Sequence, residues 1–173
     1  SRMRKGAAGS SRGVLRFIGE LLATIGRAGV SGPVTVRADS AFWSWKLVDK
    51  LTRVGVGWSI TVRLVPKIKA TIAAIPEENW TTIDYTRSGH AQVAETIYTT
   101  GTGKRTRQVR LVVRRTRLAD TTQTAMWPLW RHHAFICNNT LTAVEADRFH
   151  RNHAVVELAI RELKDNGLEH CPS

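Results

Sequence analysis

A stretch near the end of the chain, from His150 to Lys164, carries the residues best suited to chemistry. At about 3.6 residues per turn, a helix would place His150, His153 and Glu157 on one narrow face. Lys164 lies about two turns further along the same face. A carboxylate that a packed helix holds in place suits a metal ion, and the neighbouring cations suit a phosphate group. The alternative is a surface helix whose charged edge faces water, which is common.

The sequence also indicates how this helix would be positioned. An apolar stripe beside the charged face is long enough to dock the helix on a core. That stripe comprises Phe149, Val156, Ile160 and Leu163. Thr142 and Glu145 form the Thr-x-x-Glu pattern of a capping box, which predicts where the helix begins. Residues 166–167, Asn-Gly, predict where it ends.

A second carboxylate, Asp39, is the last residue of a predicted strand over residues 34–39. It lies at the carboxyl end of that strand, where open α/β sheets place their ligand sites. A helix from Gly13 precedes the strand, and a helix capped by Ser40 or Ser44 follows it. Another strand is predicted from about residue 57 to residue 65. The order helix, strand, helix, strand predicts an α/β sheet with a parallel pair.

The middle of the chain has a different composition, rich in Thr, Val and Ile and interrupted by turn signals. It predicts a short helix followed by strands near residues 80–85, 90–99 and 106–116. A buried strand is expected over 133–137, after a loop at 118–127. We therefore divide the chain into four parts: a flexible basic segment at 1–12, an α/β core at 13–66, a β-rich insertion at 67–127, and the last part of the core at 128–173.

One part of the insertion is strongly basic. Between Glu95 and Asp120 there is no acidic residue, whereas seven residues are Lys or Arg. The alternation of a strand would divide these residues between both faces of the sheet. The arginines that we predict to contact phosphate are Arg105, Arg107, Arg110, Arg114 and Arg115. The alternative is an edge strand that its charge protects from aggregation.

The overall charge favours a polyanionic partner. The formal net charge is +12 and the pI is about 10.8, so nucleic acid is the first candidate and an anionic membrane surface the second. No apolar run reaches the length of a membrane span. Cys137 and Cys171 are far apart and have no metal-binding spacing, which favours a reduced, intracellular setting.

Together the two carboxylate motifs resemble those of a known enzyme family. A strand ending in Asp39, a β-rich insertion and a late helix with Glu157 resemble the DDE transposases of bacterial insertion sequences. The likeness is strongest to the group with the signature Tyr-x-x-Arg-x-x-x-Glu-x-x-x-x-x-x-Lys. The spacing of His150, His153, Glu157 and Lys164 matches this signature, with His at the Tyr and Arg positions as a departure. The resemblance covers roughly residues 13–170.

The resemblance implies a partial RNase H-like catalytic core and metal-dependent DNA cleavage and strand transfer. Asp39 would correspond to the second of three carboxylates and Glu157 to the third. Such enzymes hold two Mg²⁺ ions, or Mn²⁺, with these carboxylates. Lys164 would contact DNA phosphate near the cleaved end, and His150 and His153 occupy neighbouring DNA-facing positions.

We find no position for the family's first Asp. The resemblance therefore implies the C-terminal part of a catalytic domain that cannot cut DNA alone. The implied partners are DNA at transposon ends and targets, with no membrane partner, and the resemblance allows a homodimer of the intact enzyme. The implied location is the bacterial cytoplasm, in association with the nucleoid.

Two alternatives remain open at this stage. A non-catalytic, basic nucleic-acid-binding module would need only the cationic surface, and Asp39 and Glu157 would then be ordinary charges. A transition-metal site could instead use nitrogen and oxygen ligands. Its candidate ligands are His132, His133, His150, His153 and Glu157. Most of the six tryptophans are expected in the core, with Trp80 the candidate for stacking on an extruded base.

Overall fold

The computed structural model describes residues 13–85, 89–117 and 130–152, which form a mixed α/β arrangement. Its helices are α1 (Val14–Arg27), α2 (Trp45–Arg53), α3 (Pro66–Ala73) and α4 (Ala143–Arg151). Its strands are β1 (Thr35–Ala38), β2 (Gly57–Thr61), β3 (Thr81–Tyr85), β4 (Gly89–Thr100), β5 (Arg107–Arg117) and β6 (Trp130–Cys137). Short 3-10 helices cover Ser40–Phe42, Glu77–Asn79 and Gly103–Arg105.

All six described strands belong to one sheet, in the order β1-β2-β6-β5-β4-β3. The pair β1 and β2 is parallel, as predicted, and the other neighbouring pairs are antiparallel. The three strands of the β-rich region therefore extend the same sheet, with β6 between them and β2. Because β5 has a neighbour on each side, it is not an edge strand. The interpretation of its arginines as protection of an edge is wrong.

The sheet separates two apolar layers. On β6, alternate side chains point to opposite faces, as strand geometry requires. Ala134 and Ile136 join the larger cluster with α1, α2 and α3, and we name this side the α2 face. Phe135 and Cys137 join the smaller cluster with Ala146 of α4, and we name this side the α4 face. Helix α4 thus lies on the opposite side of the sheet from the other three described helices.

The capping residues predicted for α2 and α4 are confirmed. Ser44 Oγ accepts a hydrogen bond from Leu47 N–H at 3.3 Å and caps α2. Thr142 Oγ1 accepts from Glu145 N–H at 3.3 Å, while Glu145 Oε2 accepts from Thr142 N–H at 2.9 Å. This reciprocal capping box satisfies donors that would otherwise lack partners, and it fixes the start of α4.

Candidate functional site

Asp39 lies beside a cavity of about 830 Å³ at the carboxyl end of β1. Asp39 is exposed, and its Oδ1 accepts a hydrogen bond from Ser40 N–H. The apolar wall of the cavity includes Phe17 of α1 and Phe42. The polar lining comprises Arg37, Asp39, Thr61, Tyr85, Arg114, His133, His150 and Arg151. The cavity therefore joins the carboxylate predicted from sequence to a predominantly basic set of side chains.

Arg37 connects the Asp39 motif to the end of α4. Its Nη1 donates hydrogen bonds to the carbonyl oxygen of Phe149 at 2.5 Å and to that of His150 at 3.4 Å. Its guanidinium also lies over the Phe149 ring, 4.6 Å from the centroid. The last carbonyls of a helix lack intrahelical donors and carry partial negative charge, so a cation is favourable there. This contact holds the end of α4 against β1, two residues before Asp39.

His150 is held between α4 and the sheet. Its Nδ1 lies 2.6 Å from Ser59 Oγ, and its Nε2 lies 3.1 Å from Thr61 Oγ1, both on β2. The ring stacks on Phe135 with 4.1 Å between centroids and an interplanar angle of 3°. Although His150 lines the cavity, its contacts are those of a residue that fastens a helix to a strand.

A buried ionic network lies under the same end of α4. Asp147 is fully buried, and its two oxygens accept hydrogen bonds from Arg114 Nη1 at 2.7 Å and from Arg151 Nε at 2.8 Å. Both guanidiniums lie over the Tyr85 ring, at 4.9 and 5.3 Å from its centroid. Two cations sharing one carboxylate leave one unit of positive charge. This excess charge borders the Asp39 cavity.

His133 is the other imidazole at the cavity, 5.7 Å from the His150 ring between centroids. Burial lowers the pKa of His133 below its ordinary value, and the charge of Arg114 acts in the same direction. The charges of Asp147 and Asp39 oppose this change in the pKa of His133. The ring is therefore neutral at neutral pH and offers one donor and one acceptor.

The arginines predicted to contact phosphate are not brought together. Arg114 lines the cavity with Asp39. The strand register places Arg105 and Arg107 at the opposite end of the sheet, where β4 turns into β5. Arg107 and Arg114 are seven residues apart on one strand, which corresponds to about 23 Å. Only part of the basic run can therefore serve the Asp39 cavity.

Three more of the predicted arginines on β5, Arg107, Arg110 and Arg115, also have carboxylate partners. Arg107 Nη1 donates to Asp49 Oδ1 at 2.6 Å on the α2 face, and Arg110 Nε donates to Glu95 Oε2 at 2.7 Å.

Arg115 Nη1 donates to Glu77 Oε1 at 2.9 Å on the α2 face. Its guanidinium lies between the rings of Trp80 and Trp130, at 4.1 and 4.5 Å from their centroids. Trp80 is 8% exposed, so its position is that of a core residue.

Three residues of the predicted site, His153, Glu157 and Lys164, lie outside the described residues. Within the described part of the chain, no group of three or more His, Cys, Asp or Glu side chains could hold a metal ion. The carboxylate of Asp39 at the cavity is an oxygen donor of the kind that Mg²⁺ prefers. The proposed transition-metal set is divided, because His132 and His133 are consecutive on β6 and point to opposite faces of the sheet.

Several residues that line the Asp39 cavity or lie next to it were missed by the sequence analysis. Arg37 lies within the Asp39 motif, and Asp147 and Arg151 have the i, i+4 spacing of a helical ion pair. These two signals were present in the sequence. Tyr85 and Arg131 are brought to this region only by the register of β3 and β6, so the sequence carries no local signal for them.

A comparison with protein families decides the broader identity. The family described as "Transposase DDE domain group 1" matches residues 1–168. The chain belongs to this DDE transposase family. No curated protein matches the sequence. Membership gives this DDE transposase domain a role in DNA transposition and makes DNA its substrate. None of the described helices is long and apolar enough to cross a membrane.

Proposed function

We propose that this DDE transposase domain takes part in metal-dependent DNA cleavage and strand transfer at insertion-sequence ends, with Asp39 and Glu157 as metal-binding carboxylates. The observation that carries the proposal is the contact of Arg37 with the last carbonyls of α4. It brings together the two segments that the sequence analysis selected independently. Arg151 is the last residue of α4 and lines the Asp39 cavity. Glu157 follows Arg151 by six residues in the sequence.

The proposal includes a partial RNase H-like core. In support, Asp39 follows the first strand of a parallel pair, and α4 crosses the other face of the sheet from α2. Among the described strands, β1 has β2 as its one neighbour. We assign the β-rich insertion to β3, β4 and β5, which lie beyond β6 in the sheet.

The chemistry of the donors fits a hard divalent cation. Asp39 would provide carboxylate oxygen, and its Oδ1 is already oriented by Ser40 N–H. Mg²⁺ or Mn²⁺, as a pair of ions in the intact enzyme, would supply activation of the nucleophile and stabilisation of the leaving oxygen at phosphorus. Arg114, His153 and Lys164 would bind and orient DNA phosphates by charge.

The proposal also concerns what these 173 residues can do alone. The resemblance implies three carboxylates, and the sequence contains a matching position for two of them, Asp39 and Glu157. We therefore expect this chain to bind DNA and a divalent ion without cutting DNA. A test that depends on cleavage would not discriminate between this proposal and a non-catalytic module, so the test measures metal binding.

Mn²⁺ binding followed by electron paramagnetic resonance tests the assignment. Asp39→Asn and Glu157→Gln should each weaken Mn²⁺ binding by at least about tenfold, because even changes outside the ligand shell of a metal have effects of that size. Asp84→Asn is a matched control, since Asp84 is an exposed carboxylate on β3. Its Mn²⁺ affinity should equal that of the unaltered chain.

The same variants distinguish the non-catalytic alternative. If Asp39→Asn and Glu157→Gln bind Mn²⁺ as well as the control does, the carboxylates are ordinary charges and the catalytic proposal fails. In that case both substitutions should leave DNA binding unchanged or slightly strengthened, because each removes repulsion of phosphate. If the catalytic assignment is correct, Mg²⁺ should strengthen DNA binding by the unaltered chain and have less effect on these two variants.

A further inference from the structure

A second, smaller cavity of about 350 Å³ lies on the α4 face of the sheet. Its lining residues come from β3, β5 and β6, and we name it the Arg131 pocket after its most exposed cation. It is lined by Tyr85, Arg114, Thr116, Arg131, His132 and His133. No carboxylate is among these residues. The pocket is therefore basic and rich in hydrogen-bonding groups.

The strand register explains why these groups come together. Arg114 pairs with His133, and Thr116 pairs with Arg131, on adjacent antiparallel strands. Arg114 and Thr116 are two positions apart on β5, as are Arg131 and His133 on β6. All four side chains therefore point to the same face of the sheet. Directly opposite side chains have Cβ atoms about 4.5–5.5 Å apart. The result is a two-by-two block that can surround one small anion.

Charge distinguishes this block from the other arginines of β5 that precede Arg117. Arg107, Arg110 and Arg115 each have a carboxylate partner of their own. Arg114 shares Asp147 with Arg151, so this group of three retains one positive charge. Arg131 adds a second positive charge, and no ion pair involving it is found within the described residues. Positive charge is therefore concentrated at the Arg131 pocket.

Unused hydrogen-bonding capacity points in the same direction. Arg114 is 8% exposed, and its Nε has no hydrogen-bond partner in the described part of the chain. An unsatisfied buried donor of this kind is unfavourable and calls for an acceptor or water nearby. Thr116 Oγ1 donates only a long bond of 3.5 Å to Arg131 O, which an anionic oxygen could replace. These donors suit a tetrahedral oxyanion better than an apolar ligand.

We propose that the Arg131 pocket binds one backbone phosphate of DNA beside the Asp39 cavity. The inference rests on the proposed function for its choice of DNA over inorganic phosphate, which has the same tetrahedral chemistry. Tyr85, Arg114 and His133 line both cavities, so a phosphate here would be adjacent to the carboxylate site. The pocket would fix the position of the strand relative to Asp39 by binding a single phosphate.

The test uses the full chain in EDTA, so that metal binding at Asp39 makes no contribution. DNA binding is measured by fluorescence anisotropy with duplexes of one sequence, each with a methylphosphonate in place of one phosphate. Arg131→Gln should weaken binding to the unmodified duplex by about tenfold, the size expected for a charged hydrogen bond. Arg117→Gln is the matched control, because Arg117 lies at the same end of the sheet but on the α2 face.

The decisive result is coupling at one position. For the unaltered chain, a methylphosphonate at one particular position of the duplex should weaken DNA binding about as much as Arg131→Gln does. Combined with Arg131→Gln, that same methylphosphonate should cause no further loss, whereas it should still weaken the Arg117→Gln variant. Arg131 is exposed, so the variant should unfold at the same temperature as the unaltered chain, and a melting curve checks this.

Two outcomes would overturn the inference. Equal losses for Arg131→Gln and Arg117→Gln, without coupling to any one phosphate, would show that the pocket contributes only general charge. Alternatively, inorganic phosphate could shift the His133 ring resonances while DNA shows no coupling, and the ligand would then be free phosphate. The DNA-binding measurements contain no metal, so they are independent of the Mn²⁺ test. If Arg131→Gln is coupled to one phosphate while Asp39→Asn binds Mn²⁺ as tightly as the unaltered chain, the catalytic proposal is refuted and the phosphate pocket is supported.

Discussion

Replacing Asp147 with Asn removes one charge from the most buried ionic group that the structure describes. The side chain of Asp147 is 0% exposed, whereas those of its partners Arg114 and Arg151 are 10% and 30% exposed. Asn has nearly the same volume, so Asp147→Asn leaves the packing unchanged and isolates the effect of charge. The substitution leaves the Arg114 guanidinium buried without a counterion.

The expected loss follows from these exposures. Breaking a buried pair by removing one partner costs about 3–5 kcal/mol. The contact with Arg151 adds less, because a partly exposed guanidinium can turn towards water. Asp147→Asn should therefore lower the free energy of unfolding by about 3–5 kcal/mol. For a chain of this size that corresponds to a fall in Tm of about 6–20 °C.

Urea unfolding followed by circular dichroism measures this loss. Asp49→Asn is the control, because the side chains of Arg107 and Asp49 are 42% and 43% exposed and such pairs contribute less than about 1 kcal/mol. A loss below about 1 kcal/mol for Asp147→Asn would refute the reasoning that Asp147 neutralises a buried cation. The double change Arg114→Met with Asp147→Leu should recover much of the loss, because apolar residues can replace a buried pair at little cost.

Two further predictions concern α4 and the cavity. Thr142→Ala removes the hydroxyl of the capping box and should lower the free energy of unfolding by about 1 kcal/mol. Thr140→Ala changes an exposed residue before the helix and should leave the free energy of unfolding unchanged. Equal losses for the two variants in urea unfolding would contradict the assignment of the cap. Because burial lowers the pKa of His133, the unfolded chain binds more protons there than the folded chain, so stability should rise with pH up to about the ordinary pKa of 6.5. His133→Gln should flatten that part of the curve of unfolding free energy against pH, and an unchanged slope would exclude His133 as its source.

Features that depend on neighbouring residues were predictable from the sequence. The strand before Asp39, the cap of α2 at Ser44 and the capping box of α4 at Thr142 each depend on a few consecutive side chains. Periodicity and capping residues are local signals, so they can be read without knowing which strands pair in the sheet. The same holds for the parallel pair, which follows from the order of the elements.

Features that depend on sheet register were not predictable. The sequence of β5 indicates a row of cations that could contact phosphate, yet Arg115 pairs with Glu77, 38 residues away. Which acid meets which arginine depends on the strands and helices that pack beside β5. The position of β6 between β2 and β5 could not be predicted from the sequence either, although it places His133 next to Arg114. The separation of Glu157 from Asp39 stays a prediction.

The bond between Arg37 and Phe149 joins residues 112 positions apart in the chain. Closing so long a loop has an entropic cost before any contact stabilises it, and contacts of high sequence separation form slowly. Between β1 and α4 in the chain lie all the other strands of the described sheet. The two segments that hold the candidate site should therefore meet late in folding, after the strands between them have paired. A partly folded chain would therefore have most of the sheet but not yet the Arg37 contact that joins the two segments of the candidate site.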